Sequence, residues 1–211
     1  MCLPRRAGSG PASGRADAFT IVVGKIVDRQ ELLNRIERAR AAGQVVVHCH
    51  GCFDIVHPGH VRYLEFARRQ GDLLVVSLTG DSQISKGDQR PYIPEELRAE
   101  SLAALESVDL VYIDPHPTAC ELLAEFKPDI YVKGREYEYS TDPNFAAERD
   151  VVTRNGGRVL FSSGDVVFSS TRLIEALGQN PDLEAERMIV ICRRHGIHRD
   201  SIREILARMA G

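Results

Sequence analysis

Two histidines three residues apart, His57 and His60, carry the strongest chemical signal in this chain. They close the run His50-Gly51-Cys52-Phe53-Asp54-Ile55-Val56-His57-Pro58-Gly59-His60, which lies between an apolar segment, Val45-Val46-Val47, and a helical pattern over 61–69. At the start of a helix this spacing stacks both side chains on one face. Pro58 suits a first helical turn, and Gly59 omits the side chain that would block a close ligand. A helix start adds free backbone N–H groups and the positive end of the dipole. The arrangement is a cradle for an anionic group with two imidazoles aimed into it, and a nucleoside triphosphate fits it. The rings can donate N–H bonds to phosphates, and as imidazolium they would also supply charge. The structural alternative is that one of them only caps the helix.

A strand must precede such a cradle and a helix must follow it. Hydrophobic patterning predicts strands over 45–49, 72–78, 109–113, 129–132 and 158–161. It predicts helices over 29–42, 59–70, 94–105, 118–126, 143–154 and 171–177. Asp28 is an N-cap for the first helix, Leu32, Leu33 and Ile36 recur at helical spacing, and Gly43 is its stop. The alternation predicts an α/β fold: a Rossmann-like parallel sheet of about five strands, with helices on both faces and right-handed crossovers. Ligands of such sheets sit at the carboxyl ends of the strands where strand order reverses, and the first strand feeds the histidine run. Residues 1–19, rich in Gly, Ser, Ala and Arg, are expected to be a disordered tail, with the main domain over 20–177. After Gly178-Gln179-Asn180-Pro181, residues 178–211 are expected to form a helical extension from two amphipathic patterns. That extension reads as a packing or dimerisation appendage, and a homo-oligomer is expected. The sharper alternative lets Arg193, Arg194, His195 or His198 reach a neighbouring subunit's substrate.

The order G-x-F-D-x-x-H-x-G-H after a first strand resembles the cytidylyltransferase-like nucleotidyltransferases, relatives of the class I aminoacyl-tRNA synthetases. Asp109-Leu110-Val111, then Lys127-Pro128-Asp129-Ile130-Tyr131-Val132-Lys133-Gly134, then Ser169-Ser170-Thr171-Arg172-Leu173-Ile174 resemble later landmarks of that family in the same order. The likeness covers residues 28–177 and is greatest to the adenylyltransferase module of ADP-heptose synthesis and its sugar-phosphate relatives. It implies transfer of AMP from ATP to a sugar 1-phosphate, with release of pyrophosphate and with Mg²⁺ as the nucleotide's counter-ion. On the same grounds His57, His60 and Lys86 would be catalytic. Gly51, Cys52, Phe53, Asp54, Gly59, Arg90, Lys133, Gly134, Glu136, Ser169, Ser170 and Thr171 would hold the nucleotide. Arg98, which matches an arginine opening the next helix in relatives, would bind substrate. No protein-held metal is implied.

The residues themselves support parts of that assignment. Nucleotidyl transfer brings two anions together, so catalysis is mostly positioning and charge neutralisation. Lys86-Gly87 lies in a polar loop over 81–91, where a lysine could fold over a triphosphate or simply be solvated. The heptose enzymes carry a longer, more basic loop there, which puts the acceptor's identity in question more than the transfer itself. Arg90 and Arg98 could equally be surface charges. Gly134 ends a strand and lets backbone approach a base or ribose, with Glu136-Tyr137 following after Arg135. Ser169-Ser170-Thr171 before an apolar helical pattern is a cap, a phosphate site, or both. Cys49-His50-Gly51-Cys52 has redox spacing but straddles a strand end rather than opening a helix, and no second C-x-x-C pair completes a zinc site. Cys49 reads as a small core residue, and Cys52 occupies a variable position of the family motif.

Composition narrows the partners. The 211 residues are 43% hydrophobic, enough for one good core, and carry a net charge of −3. With a pI near 6.2, neither duplex nucleic acid nor an anionic membrane is an expected partner. The start Met1-Cys2-Leu3-Pro4-Arg5-Arg6 lacks an apolar core of signal-peptide length, and the odd number of cysteines fits a reducing compartment, so a cytoplasmic location is expected. The expected partners are ATP, or CTP, and a phosphorylated small molecule. Two other readings stay open: a CTP-dependent enzyme acting on a polyol or amino-alcohol phosphate, and a nucleotide-binding module without turnover.

Overall fold

The computed structural model describes residues 24–84 and 91–162. Five strands, β1 (Val46–Gly51), β2 (Leu73–Thr79), β3 (Leu110–Asp114), β4 (Ile130–Gly134) and β5 (Arg158–Ser162), form one sheet in the order β3-β2-β1-β4-β5. Every pairing is parallel. Five α-helices alternate with them: α1 (Arg29–Ala41), α2 (Pro58–Arg68), α3 (Glu95–Ala103), α4 (Cys120–Phe126) and α5 (Pro143–Arg154).

Strand alternation sends successive side chains to opposite faces. Val47, Cys49, Leu74, Val76 and Val132 meet Leu64 and Ala67 of α2 and Ala99 and Leu102 of α3. Val46, Val75, Leu110 and Tyr112 meet Leu32 and Ile36 of α1 and Leu122 and Phe126 of α4. Tyr131 completes that second face with Leu123 and with Val152 of α5. Both faces of the central strands are covered, so β1 and β2 are buried along nearly their whole length, the polar His48, His50 and Ser77 included. The chain moves outward from β1 to β3 with its helices on one face, then returns to β4 and β5 with its helices on the other. A single crossover hand requires that change of face. Strand order therefore reverses between β1 and β4, and the histidine run leaves β1 at that point.

Local chemistry sets the ends. Asp28 accepts from Glu31 N at 2.8 Å and caps α1, and Gly43 turns the chain away with φ +73°. Asp142 accepts from Asn144 N at 2.9 Å ahead of Pro143, starting α5. Lys127 ends α4 in the left-handed region, at φ 49°. The strand expected over 129–132 runs on to Gly134 because Lys133 and Gly134 find partners in Phe161 and Ser162 of β5. The helix expected from 118 begins at Cys120, because Ala119 N is drawn to the Glu148 carboxylate at 3.2 Å. The 1–19 tail, the helix over 171–177 and the 178–211 extension lie outside the described residues.

Candidate active site

The turn from β1 to α2 is tightly built. Phe53 adopts φ +50°, a conformation that bulky residues rarely hold, and its ring is buried at 5% exposure. Gly51 makes room for it, since a Cβ there would stand 3.2 Å from the Phe53 ring. Phe53 in turn meets the His60 ring edge-on, with centroids 5.2 Å apart. Asp54, also buried, accepts from Ile93 N at 3.0 Å and ties the turn to the segment before α3. The side chains of Phe53 and Asp54, expected to hold nucleotide, thus shape the turn.

His57 and His60 come together as expected, with ring centroids 3.9 Å apart. His57 is the N-cap of α2, its Nδ1 accepting from Gly59 N at 3.1 Å. A ring that accepts at Nδ1 carries its proton on Nε2 when neutral, leaving an N–H donor for a ligand. The capping role and a ligand-facing role are therefore compatible. Burial lowers the pKa of His57, while burial and then the neighbouring His57 bring His60 down to about 4, against a weaker backbone effect at Ile55. Both shifts favour the neutral ring, so the donor role open to His57 and His60 does not depend on imidazolium charge. The helix start is also poorer in free N–H groups than expected. Pro58 has none, Gly59 N is spent on His57, and His60 N bonds His57 O at 2.8 Å. What the turn can offer an anion is two neutral imidazoles and the positive end of the helix dipole.

Arg98 is not a surface substrate ligand. It is fully buried, and its guanidinium donates to Ile93 O at 2.9 Å, Thr79 O at 2.9 Å, Asp81 Oδ1 at 2.6 Å and the carbonyl of Cys52. Apolar periodicity cannot reveal an arginine whose guanidinium is held by the carbonyls of residues 52, 79 and 93 and by the Asp81 carboxylate. Its role is to knit the β1 turn, the end of β2 and the start of α3.

Beside the turn, at the carboxyl ends of β1 and β4, a cavity of about 250 Å³ opens. Gly51 and Cys52 border it, and His50, Thr79, Lys133 and Glu148 supply its polar groups. Lys133, expected to meet nucleotide, stands 3.2 Å from Glu148 Oε2 with both side chains under a tenth exposed. Its Nζ also lies 4.5 Å from the Tyr137 ring centroid. Glu148 further accepts from Tyr131 OH at 2.8 Å. Glu136 is exposed and folds back over Gly134, where a Cβ would collide with its carboxylate. Sequence reasoning missed Glu148, although Phe145, Glu148 and Val152 at helical spacing form the buried side of α5. It also missed His48 and His50, whose alternation in β1 puts both on the α1–α4 face, touching Ser77. Lys86, Arg90, Ser169, Ser170 and Thr171 lie outside the described residues.

Cys49 is buried, which pushes its thiol up to about 12, opposed by Tyr63 and Lys133. That is the opposite of a reactive thiolate. None of the described cysteines, Cys49, Cys52 and Cys120, is in a disulfide. No described helix is long and apolar enough to cross a membrane.

Comparison with known proteins gives the family. The curated relatives include the Bifunctional protein HldE of Pelobacter propionicus, 42% identical over 153 residues, or 72% of this chain and 30% of that protein. The HldE of Gluconobacter oxydans is 41% identical over 160 residues, covering 75% of this chain and 33% of its own length. The chain thus spans about a third of these relatives. A solved lipopolysaccharide core biosynthesis protein from Thermoplasma volcanium aligns over its whole length and 59% of this chain, at 27% identity and a TM-score of 0.50. Pantoate-beta-alanine ligase from Francisella tularensis shares the fold over 80% of this chain and 78% of its own, at 15% identity and a TM-score of 0.53. The family model described as Cytidylyltransferase-like matches residues 48–176, the span that holds the β1 turn, the paired histidines and the β4 cavity, and the chain belongs to that family.

Proposed function

We propose that the chain transfers AMP from ATP to a sugar 1-phosphate of the heptose-1-phosphate kind, releasing pyrophosphate. The observation that carries this reading is the adjacency of two unlike sites across Gly51-Cys52. One is the paired imidazole donors of His57 and His60. The other is a polar cavity holding an ammonium, a carboxylate and hydroxyls. The first suits the phosphates of a nucleotide and the second suits a phosphorylated polyol, which moves Lys133 from the nucleotide, where the family resemblance put it, to the acceptor; the kinship with proteins named HldE supports the pairing.

In the reaction, an oxygen of the acceptor phosphate attacks the α-phosphorus in line. A new P–O bond forms there and the bond to the β-phosphate oxygen breaks. The attacking phosphate is already ionised, so no general base is required. The chain's task is to bring two anions together and to donate hydrogen bonds where charge develops. His57 and His60 do this without carrying charge themselves, and Lys86, Arg90 and the Ser169-Ser170-Thr171 run supply the further contacts expected of the family. Arg98 holds the turn. Mg²⁺, bound with the nucleotide, would offset phosphate charge.

ATP labelled at the α-phosphorus tests the reading: the label is expected in a nucleoside diphosphate sugar, with unlabelled pyrophosphate released in equal amount. Label remaining in ATP, or released as free AMP, with every sugar 1-phosphate would overturn it. Lys86→Ala is expected to reduce kcat more than it weakens ATP binding, because its charge matters most as pyrophosphate departs. The family's description as cytidylyltransferase-like supports one second reading, CTP with a polyol or amino-alcohol phosphate.

A further inference from the structure

Behind the cavity wall runs a hydrogen-bond chain that the transfer reaction does not require. Ser77 Oγ lies 2.8 Å from His48 Nε2 and 2.7 Å from His50 Nδ1. His50 Nε2 lies 3.3 Å from Thr79 Oγ1, and both His50 and Thr79 line the cavity. His48 is fully buried, sandwiched between the Phe126 edge and the Tyr131 face. Its Nδ1 has no hydrogen-bond partner among the described residues.

Counting protons decides how the chain points. Burial holds both rings neutral, His48 well below the usual histidine value and His50 at about 4, with Lys133 adding to the depression and Glu148 opposing it for His50. Each neutral ring has one N–H, and Ser77 has one O–H. If His50 carried its proton on Nδ1 and Ser77 donated to His48, the His48 proton would sit on Nδ1 as a buried donor with nothing to receive it. If both rings donated to Ser77, the serine proton would be the orphan. Only one arrangement strands no donor: His48 Nε2–H donates to Ser77, Ser77 donates to His50 Nδ1, and His50 carries its proton on Nε2. A bare acceptor on His48 is then the sole unmet group, and unpaired acceptors are better tolerated than unpaired donors. His50 Nε2–H thus points along the Thr79 edge, and the Thr79 hydroxyl can pass its own proton into the cavity.

We propose that His50 is a specificity-determining residue for the acceptor: its Nε2–H, fixed by the His48–Ser77 chain and resting on Thr79 Oγ1, shifts to a ring or hydroxyl oxygen of the sugar phosphate when the acceptor enters the cavity that His50 and Thr79 line. This rests on the sugar-phosphate reading above and deepens it. His48 and Ser77 are positioning residues, and His50 with Thr79 is the contact.

Two measurements on the full chain test this. Long-range ¹H–¹⁵N correlation spectra of ¹⁵N-histidine-labelled protein at pH 7.5 are expected to show His48 and His50 both protonated on Nε2. An Nδ1-protonated His50 would overturn the proposal, and this result needs no variant to fold. Kinetics with ATP and glucose, mannose and heptose 1-phosphates supply the second arm. Ser77→Ala releases the His50 tautomer and is expected to raise the acceptor KM by about three- to tenfold, the effect of one neutral hydrogen bond, with the ATP KM within about twofold. His50→Phe is expected to do the same or more, and His50→Asn, which keeps an N–H donor, to recover part of the loss. Unchanged acceptor KM in Ser77→Ala and His50→Phe, or an equal rise in the ATP KM, would overturn the role of His50 alone. A wild-type protein inert toward all three sugar phosphates would remove the sugar-phosphate reading itself, and the ligand assigned to His50 with it.

Discussion

At position 57 one imidazole closes the first turn of α2 and faces the site, so a single alanine substitution confounds two losses. His57→Ala removes the cap on Gly59 N, which costs about 1 kcal/mol of stability. It also removes one donor at the developing charge, for which about a hundredfold loss of turnover is expected. His57→Asn separates the two, since asparagine is a good cap but cannot reach as an Nε2–H donor does. Its urea midpoint is expected to match the wild type while turnover stays about a hundredfold low. A fast His57→Asn enzyme would show that only the cap matters. His60→Ala is expected to lose turnover similarly and also to loosen the packing of Phe53 against it.

The turn between β1 and α2 works as one piece because Arg98 and Asp54 pin it from the α3 side. Arg98→Ala leaves Asp81 and three carbonyls without their partner inside the protein, and a loss of about 3 kcal/mol or more is expected from urea unfolding. Arg98→Lys is expected to recover little, because an ammonium cannot reproduce the planar fork. A variant within about 1 kcal/mol of wild type with normal turnover would contradict the pinned turn. This element also shows where sequence reading stops. Strand and helix order was legible because apolar runs and caps are local signals: Asp28, Pro58 and Gly43 each mark an end that the structure keeps. The saturation of Arg98 is not local, since its partners come from positions 52, 79, 81 and 93. Glu148 was hidden for the same reason. A carboxylate on a helix reads as solvated until the fold sets Lys133 and Tyr131 beside it.

For the molecule as a whole, buried neutral histidines make stability depend on pH in a definite direction. His48, His50 and His60 have folded-state pKa values below the ordinary 6.5, two of them at about 4. The unfolded chain takes up their protons as pH falls through 6.5 while the folded one does not, so stability is full above that pH and declines between 6.5 and 4. By pH 5 the loss is about 2 kcal/mol for His50, and less for the partly exposed His60. Urea unfolding at pH 7.5, 6 and 5 is expected to show a steady fall, and an unchanged midpoint would mean that these rings are not neutral in the fold. The paired histidines and their elements were legible as a motif after a strand; the cavity proposed for the acceptor was not, because it is assembled from β1, β2, β4 and α5 together. The central claim joins those two sides. Pyrophosphate release from ATP and from CTP, each with a sugar 1-phosphate, glycerol phosphate and phosphocholine, tests it most directly. ATP with the sugar 1-phosphate is expected to exceed every other pair by at least about tenfold in kcat/KM, about 1.4 kcal/mol of transition-state stabilisation. Faster release from CTP with glycerol phosphate or phosphocholine would contradict the account.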